Sequence, residues 1–230
     1  MILVKLIGGL GNQMFQYAAG RALAKVYGTE LKIDKSALEK DNLGAFTKRE
    51  YGLDIFCFEP SFASESEREI FLKHANSKLY RQAFRQFPFL FKNKYIAENT
   101  NHYMSAFKKY GPNAYLDGFW QSEKYFKEIS GVIRNDLAFK STPDKINLEL
   151  LAKIEGSNSI SVHIRRGDYV QDKTANSLHG TCSSEYYRAA IELLVHNQND
   201  PRLFIFSDDI SWCRENLAPE FPATYVDHNS

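Results

Sequence analysis

Apolar and polar positions along the chain follow two periods in turn. Residues 2–7 are apolar except at Lys5 and end at Gly8, as a buried strand would. Beyond the glycine-rich stretch 8–13, Phe15, Ala18, Ala22 and Val26 recur at helical spacing. They predict a helix over 13–27, with Asn12 placed to cap it and Gly28 to end it. Residues 31–34 read as a second strand. Strand, helix and strand in this order predict a βαβ unit and a parallel sheet.

From 36 to 111 the pattern is less regular. Residues 64–74 read as a polar helix. Residues 78–95 mix basic side chains with Leu79, Tyr80, Phe84, Phe87, Phe89, Leu90 and Phe91. Helices and loops that bury the aromatics, with lysine and arginine stems lying along the surface, account for that mixture better than a nucleic-acid surface does. Residues 114–120 predict a strand and 122–140 a helix.

A second α/β unit starts near Ser159. Strand 159–164 carries Ile160, Val162 and Ile164 on one face, and a polar loop follows over 165–182. Ser183 or Ser184 can cap a helix whose apolar stripe is Tyr187, Ala190, Ile191 and Leu194. Strand 203–206, helix 210–217 and strand 224–226 complete the chain. The fold class is therefore α/β, with one lobe over 1–150 and a second over 151–230. Doubly wound units normally continue past such a strand, so the second lobe is expected to be incomplete.

Composition narrows the function. The 230 residues carry a formal net charge of +1, and 43% are apolar. A chain so close to neutral is not built for nucleic acid held by counterion release. The first apolar run is too short for a signal peptide or a membrane span, so the expected location is cytoplasmic, with at most peripheral association with the inner membrane. Cys57, Cys182 and Cys213 are odd in number and far apart. They match no disulfide or metal-ligand spacing and read as buried, reduced thiols.

Ligands of open α/β sheets bind beyond the C-terminal ends of the strands. Three polar clusters fall there: 8–13, 163–169 and 207–209. His163 points away from the face that buries Ile164, and Arg165 and Arg166 leave the strand end together. An arginine fork fits phosphate oxygens and stays charged, which suits Arg165 to a diphosphate. Arg166 fits either that role or a structural pair with Asp168. The 8–13 stretch has Met14 where a dinucleotide fingerprint needs its third glycine, which counts against an NAD-dependent oxidoreductase. What remains is a tight turn, or a helix N-terminus open to a ligand. Asp208 and Asp209 lack the spacing for a shared metal. One can cap the next helix and the other can accept from a guanine edge.

Four stretches, 8–18, 118–126, 162–170 and 206–209, together resemble the bacterial α-1,2-fucosyltransferases of glycosyltransferase family 11. The resemblance spans the whole chain and implies a GT-B-like fold, with two Rossmann-like lobes facing a cleft. It implies GDP-β-L-fucose as donor, no metal or other cofactor, and inverting transfer to the 2-hydroxyl of a terminal β-galactoside. The acceptor is then a galactose-terminated oligosaccharide or glycolipid. It also implies that Arg165 binds the pyrophosphate, joined by Arg166. His163 would lie against the nucleotide and Asp209 would read guanine. Gly11, Asn12 and neighbouring amides would face the fucose and the acceptor. Asp172 is the leading candidate base, with Asp168, His179 and Glu123 as rivals. The family's further C-terminal block, rich in Ser, Phe and Trp, has no counterpart after Asp209. A catalytically silent GDP-sugar-binding protein of the same fold, or a fucosyltransferase of different linkage, is the competing function.

Overall fold

The computed structural model describes residues 1–39, 49–73, 75, 77–87, 90–98, 102–167, 170, 180–196, 198–217 and 219–228. The chain divides into two compact units, Met1–Thr142 and Pro143–Ser230.

The first unit is built on four parallel strands: β1 (Ile2–Lys5), β2 (Leu31–Asp34), β3 (Lys94–Ala97) and β4 (Ala114–Asp117), in the order β2-β1-β4-β3. Its described helices are α1 (Leu10–Val26), α2 (Ser36–Glu39), α3 (Glu65–Leu72), α4 (Lys78–Gln86) and α5 (Ser130–Asp136). Ile2, Val4 and Leu6 pack with Ala19 and Leu23 of α1 and with Leu116, Phe107 and Trp120 in one core. On β1, Leu3 is grouped instead with Tyr115 and Phe71 of α3. Beside that second cluster, Tyr115 donates to the buried Asp34 at 2.6 Å, and Lys5 pairs with Asp117 at 3.1 Å. Burial of Asp34 is tolerable because it has partners.

The second unit contains α6 (Lys145–Glu155), β5 (Asn158–Ile164), α7 (Ser184–Val195), β6 (Pro201–Ser207), α8 (Ile210–Asn216) and β7 (Ala223–Val226). Its three strands are parallel, in the order β5-β6-β7. Ile160, Val162, Ile164, Leu203 and Ile205 pack on Ile191 and Val195 of α7 and Cys213 of α8. Phe204 and Val226 cluster with Leu150 of α6 instead.

Several sequence expectations are corrected. Helix α1 begins at Leu10 with Gly9 as its N-cap, so Asn12 lies inside the first turn and caps nothing. Its exposed end includes Val26 at 50%, and buried Gln13, Gln16 and Tyr17 widen the inward face instead. Strand β4 stops at Asp117, and Trp120 beyond it takes a left-handed backbone, φ 55°. Residues 122–140 are not one helix. Two 3-10 turns, Glu123–Tyr125 and Lys127–Ile129, come first, since Phe126 at φ −132° leaves helical geometry while Tyr125 is drawn into the core. On α7, Val195 is buried where Leu194, 52% exposed, was expected. Cys57 and Cys182 are exposed, and only Cys213 is a buried thiol. Helix α6 spans position 150 and packs with the second unit. Among the described residues, no helix is long and apolar enough to cross a membrane.

Candidate functional site

Both units present polar residues where their parallel strands end. In the first, β1 runs into Gly8, whose φ is +78°. A Cβ at Gly8 would lie 2.4 Å from Asn12 Nδ2, so a side chain in this turn would displace Asn12 from a strained backbone. Gly9 and Gly11 differ: a Cβ on either would meet nothing within 4 Å. Their bareness is not a packing requirement, and it leaves the start of α1 open. Gln13 and Gln16 are fully buried and hold this edge together. Gln13 Nε2 donates to the Gly8 and Glu50 carbonyls at 3.0 and 2.8 Å, and its Oε1 accepts from Gly52 N–H at 3.0 Å. Gln16 Oε1 accepts from Ile7 N–H at 3.0 Å while its Nε2 donates to Gly118 O at 3.1 Å.

Beyond β3 and β4 the chain is bent and fixed by Glu98. Glu98 Oε2 accepts from Phe119 N–H at 2.8 Å and Trp120 N–H at 2.9 Å. Gly118 makes room for this contact, since a Cβ there would be 2.4 Å from Glu98 Cβ. Gln121 Nε2 donates to Asn12 Oδ1 at 2.6 Å. An open pocket lies here, with Glu98, Phe119 and Gln121 in its wall.

In the second unit, β5 alternates as expected. Ile164 is buried, His163 is exposed on the other side, and Arg165 is exposed immediately after the strand. Arg166 is held more tightly. Its backbone N–H donates to Asp208 Oδ1 at 2.7 Å, its Nε lies 3.4 Å from Asp209 Oδ2, and its guanidinium stacks 4.0 Å over the Trp212 ring. Asp209 is also the N-cap of α8, with Oδ1 accepting from Trp212 N–H at 3.1 Å. Ser207 Oγ accepts from Asp209 N–H at 2.9 Å. Each aspartate therefore has structural work, and among the described residues Arg166 pairs with Asp209. Burial pushes the Cys213 thiol beneath this edge up from its ordinary value, against a lowering hydrogen bond with Ser207, so it is a poor nucleophile.

The structure thus brings His163, Arg165 and Arg166 to one strand edge with Asp208 and Asp209, and Gly11 and Asn12 to another with Gln121. Asp172, Asp168 and His179 lie outside the described residues. Glu123 is 72% exposed and sits 3.9 Å from Lys127. Glu98 and Trp212 were missed. The signal for Glu98 was its place at the end of β3, a strand hidden in the aromatic stretch. Among the described residues, no group of three or more His, Cys, Asp or Glu could hold a metal ion.

The family model described as glycosyl transferase family 11 matches residues 60–228. The chain belongs to glycosyltransferase family 11. It is 35% identical to an α-1,2-colitosyltransferase of Escherichia coli over 226 residues, 94% of this chain and 71% of that protein. It is 32% identical to the O-antigen biosynthesis glycosyltransferase WbnK of Escherichia coli, over 98% of this chain and 78% of the relative. Among solved structures, the fucosyltransferase NodZ from Bradyrhizobium aligns with 98% of this chain and 77% of its own, at 14% identity and a TM-score of 0.47. The resemblance carried by the four sequence stretches is thereby shown at the level of the family.

Proposed function

We propose that this family 11 glycosyltransferase is a GT-B-type enzyme that moves L-fucose from GDP-β-L-fucose to the 2-hydroxyl of a terminal β-galactoside. Transfer inverts the anomeric centre and needs no metal. The observation that carries the reading is the β5 edge, where Arg165 leaves the strand beside a loop locked by Arg166, Asp208 and Asp209. The α-1,2 linkage named for the colitosyltransferase relative, and the glycan context named for WbnK, support the linkage and the acceptor class.

In this scheme the galactose 2-oxygen attacks the fucose anomeric carbon as the bond from that carbon to the β-phosphate oxygen breaks. The phosphate keeps the electron pair, and the acceptor proton passes to a base, for which Asp172 is the candidate. Arg165 meets the charge that develops on the leaving diphosphate. Preorganised donors of this kind each supply roughly 3–4 kcal/mol. Arg166 fixes the loop from which Arg165 projects. His163 and Asp209 border the nucleotide, and Gly11 and Asn12 belong to the sugar side. The reaction takes place in the cytoplasm, with at most peripheral membrane contact.

The same relative favours a second donor. Colitose is L-fucose without its 3-hydroxyl, so GDP-colitose presents the same diphosphate and the same anomeric carbon.

The deciding experiment incubates the protein with lactose and either GDP-fucose or GDP-colitose, in EDTA, and identifies the linkage by NMR. A 2-linked α-L-fucosyl product, absent for Arg165→Ala, is expected. A product only from GDP-colitose moves the assignment to the deoxy sugar. Activity that EDTA abolishes and magnesium restores refutes the metal-free scheme. GDP protection against heat without transfer to any galactoside makes the protein a silent binder.

A further inference from the structure

The first unit holds a pocket that the donor chemistry above does not use. It opens beyond the C-terminal ends of β3 and β4, where Glu98, His102, Tyr103, Phe119 and Gln121 form the wall and Tyr125 the floor.

Three features show that the pocket is built. Phe119 follows a buried strand yet is 44% exposed. It is displayed by a backbone that Glu98 clamps at two consecutive amides and that turns left-handed at the fully buried Trp120. Strain of this kind persists only where the surroundings enforce it, and it gathers at binding sites. The floor is rigid: the Tyr125 ring lies 4.9 Å from Tyr103, 4.7 Å from Phe107 and 5.4 Å from Trp120, and its hydroxyl accepts from Met104 N–H at 2.9 Å. The polar groups are also oriented. Glu98 is fixed through Oε2, leaving Oε1 to accept, and Gln121 is fixed through its Nε2 bond to Asn12, leaving its own Oε1.

An exposed aromatic face beside a fixed carboxylate and a fixed amide is what recognises a carbohydrate. The ring covers C–H groups, and planar polar groups take hydroxyls. Galactose fits this chemistry better than glucose. Its axial 4-hydroxyl leaves C3–H, C4–H and C5–H together on one apolar face. We propose that this pocket seats the terminal galactose of the acceptor, with Phe119 against that face and Glu98 and Gln121 on the hydroxyls. The proposal rests on the glycosyltransferase reading above for its ligand class, and its location comes from the first unit alone.

Two measurements test it. The first is saturation-transfer NMR with methyl β-galactoside and methyl β-glucoside, no donor present. Wild type is expected to saturate H3, H4 and H5 of the galactoside, and Phe119→Ala to lose that signal. The second is steady-state transfer from GDP-fucose to lactose. Phe119→Ala is expected to raise the lactose KM about tenfold, the size of one lost aromatic contact, with the GDP-fucose KM within twofold, and Gln121→Ala to raise the lactose KM as well. Leu79→Ala, 79% exposed on α4, is the control that changes neither constant. A lactose KM unchanged in both pocket variants, or equal saturation of glucoside and galactoside, overturns the proposal. Failure of wild type to transfer or hydrolyse GDP-fucose refutes the transferase reading instead, and the NMR arm still decides the pocket.

Discussion

Asn12 Oδ1 accepts a hydrogen bond from Gln121 Nε2 at 2.6 Å, tying the first turn of α1 to the segment beyond β4. Gln16 repeats the connection in the interior by reaching Gly118 O. Two of the four stretches that reveal the family are thus one structural object at the strand ends of the first unit. The other two are joined in the second unit, where Asp208 and Asp209 hold Arg166. Sequence motifs distant in the chain meet pairwise at strand ends, the position at which open α/β sheets bind their ligands.

The buried glutamine carries more stability than the exposed one. Gln16→Leu removes the partners of Ile7 N–H and Gly118 O, and each stranded backbone group costs roughly 1–3 kcal/mol. A loss of about 3 kcal/mol in urea unfolding at constant m is expected. Gln121→Ala, at an exposed site, should cost about 1 kcal/mol or less. If the two variants unfold at the same midpoint, the interior link does not hold the edge.

The glycines of the 8–13 turn separate structure from function. Gly8→Ala must relieve a 2.4 Å approach to Asn12 from a positive φ, with a cost on the order of 1–3 kcal/mol. Gly11→Ala enters open space within α1 and should raise stability by roughly 0.5–1 kcal/mol through helix propensity. A stabilised Gly11→Ala protein that has lost transfer would show that a ligand approaches the backbone there. Full activity would remove Gly11 from the site.

How much of this was legible beforehand varies with the kind of signal. The βαβ start, the β5 alternation and the β6 apolar run are strong periodic patterns, and the structure follows them. Strand β3 was hidden because Lys94, Tyr95 and Ile96 continue an aromatic and basic stretch without a break in composition. Helix α6 was missed although Ile146, Leu150 and Ile154 recur at helical spacing, and of these only Leu150 is buried. Asn12 looked like a cap because capping residues are polar, yet Gly9 begins the helix and frees Asn12 to meet Gln121. That contact bridges 109 residues, and no local pattern encodes it. The stacking of Arg166 on Trp212 is invisible for the same reason.

Acid stability has a specific contributor on α3. The Lys32 ammonium at 2.6 Å, then the Ser64 N–H and hydroxyl of the capping box, hold the Glu67 carboxyl down at about 2. A depressed carboxylate stabilises the fold above its unfolded value, about 4.3, and loses that contribution as pH falls toward the folded value. Glu67→Gln should therefore be less stable than wild type at pH 6, with the gap closing from about pH 5 to pH 2. A gap independent of pH would mean that the ion pair is not formed.

The two adjacent arginines should separate cleanly. Arg166 has 17% of its side chain exposed, stacks on Trp212 and pairs with Asp209, the cap of α8. Arg166→Lys keeps the charge but loses the planar contacts. It should lower unfolding stability by about 1–2 kcal/mol. Transfer would fall with it, because the loop carrying Arg165 is then less well fixed. Arg165 is exposed at the strand end, so Arg165→Lys should shift the unfolding midpoint less than Arg166→Lys does. Its effect should appear in kcat, down by a factor on the order of 100 as bidentate contact with the leaving diphosphate is lost. Parallel denaturation and kinetics on the two variants check this. If Arg165→Lys destabilises the protein and Arg166→Lys only slows it, the two roles are reversed and the diphosphate belongs to Arg166.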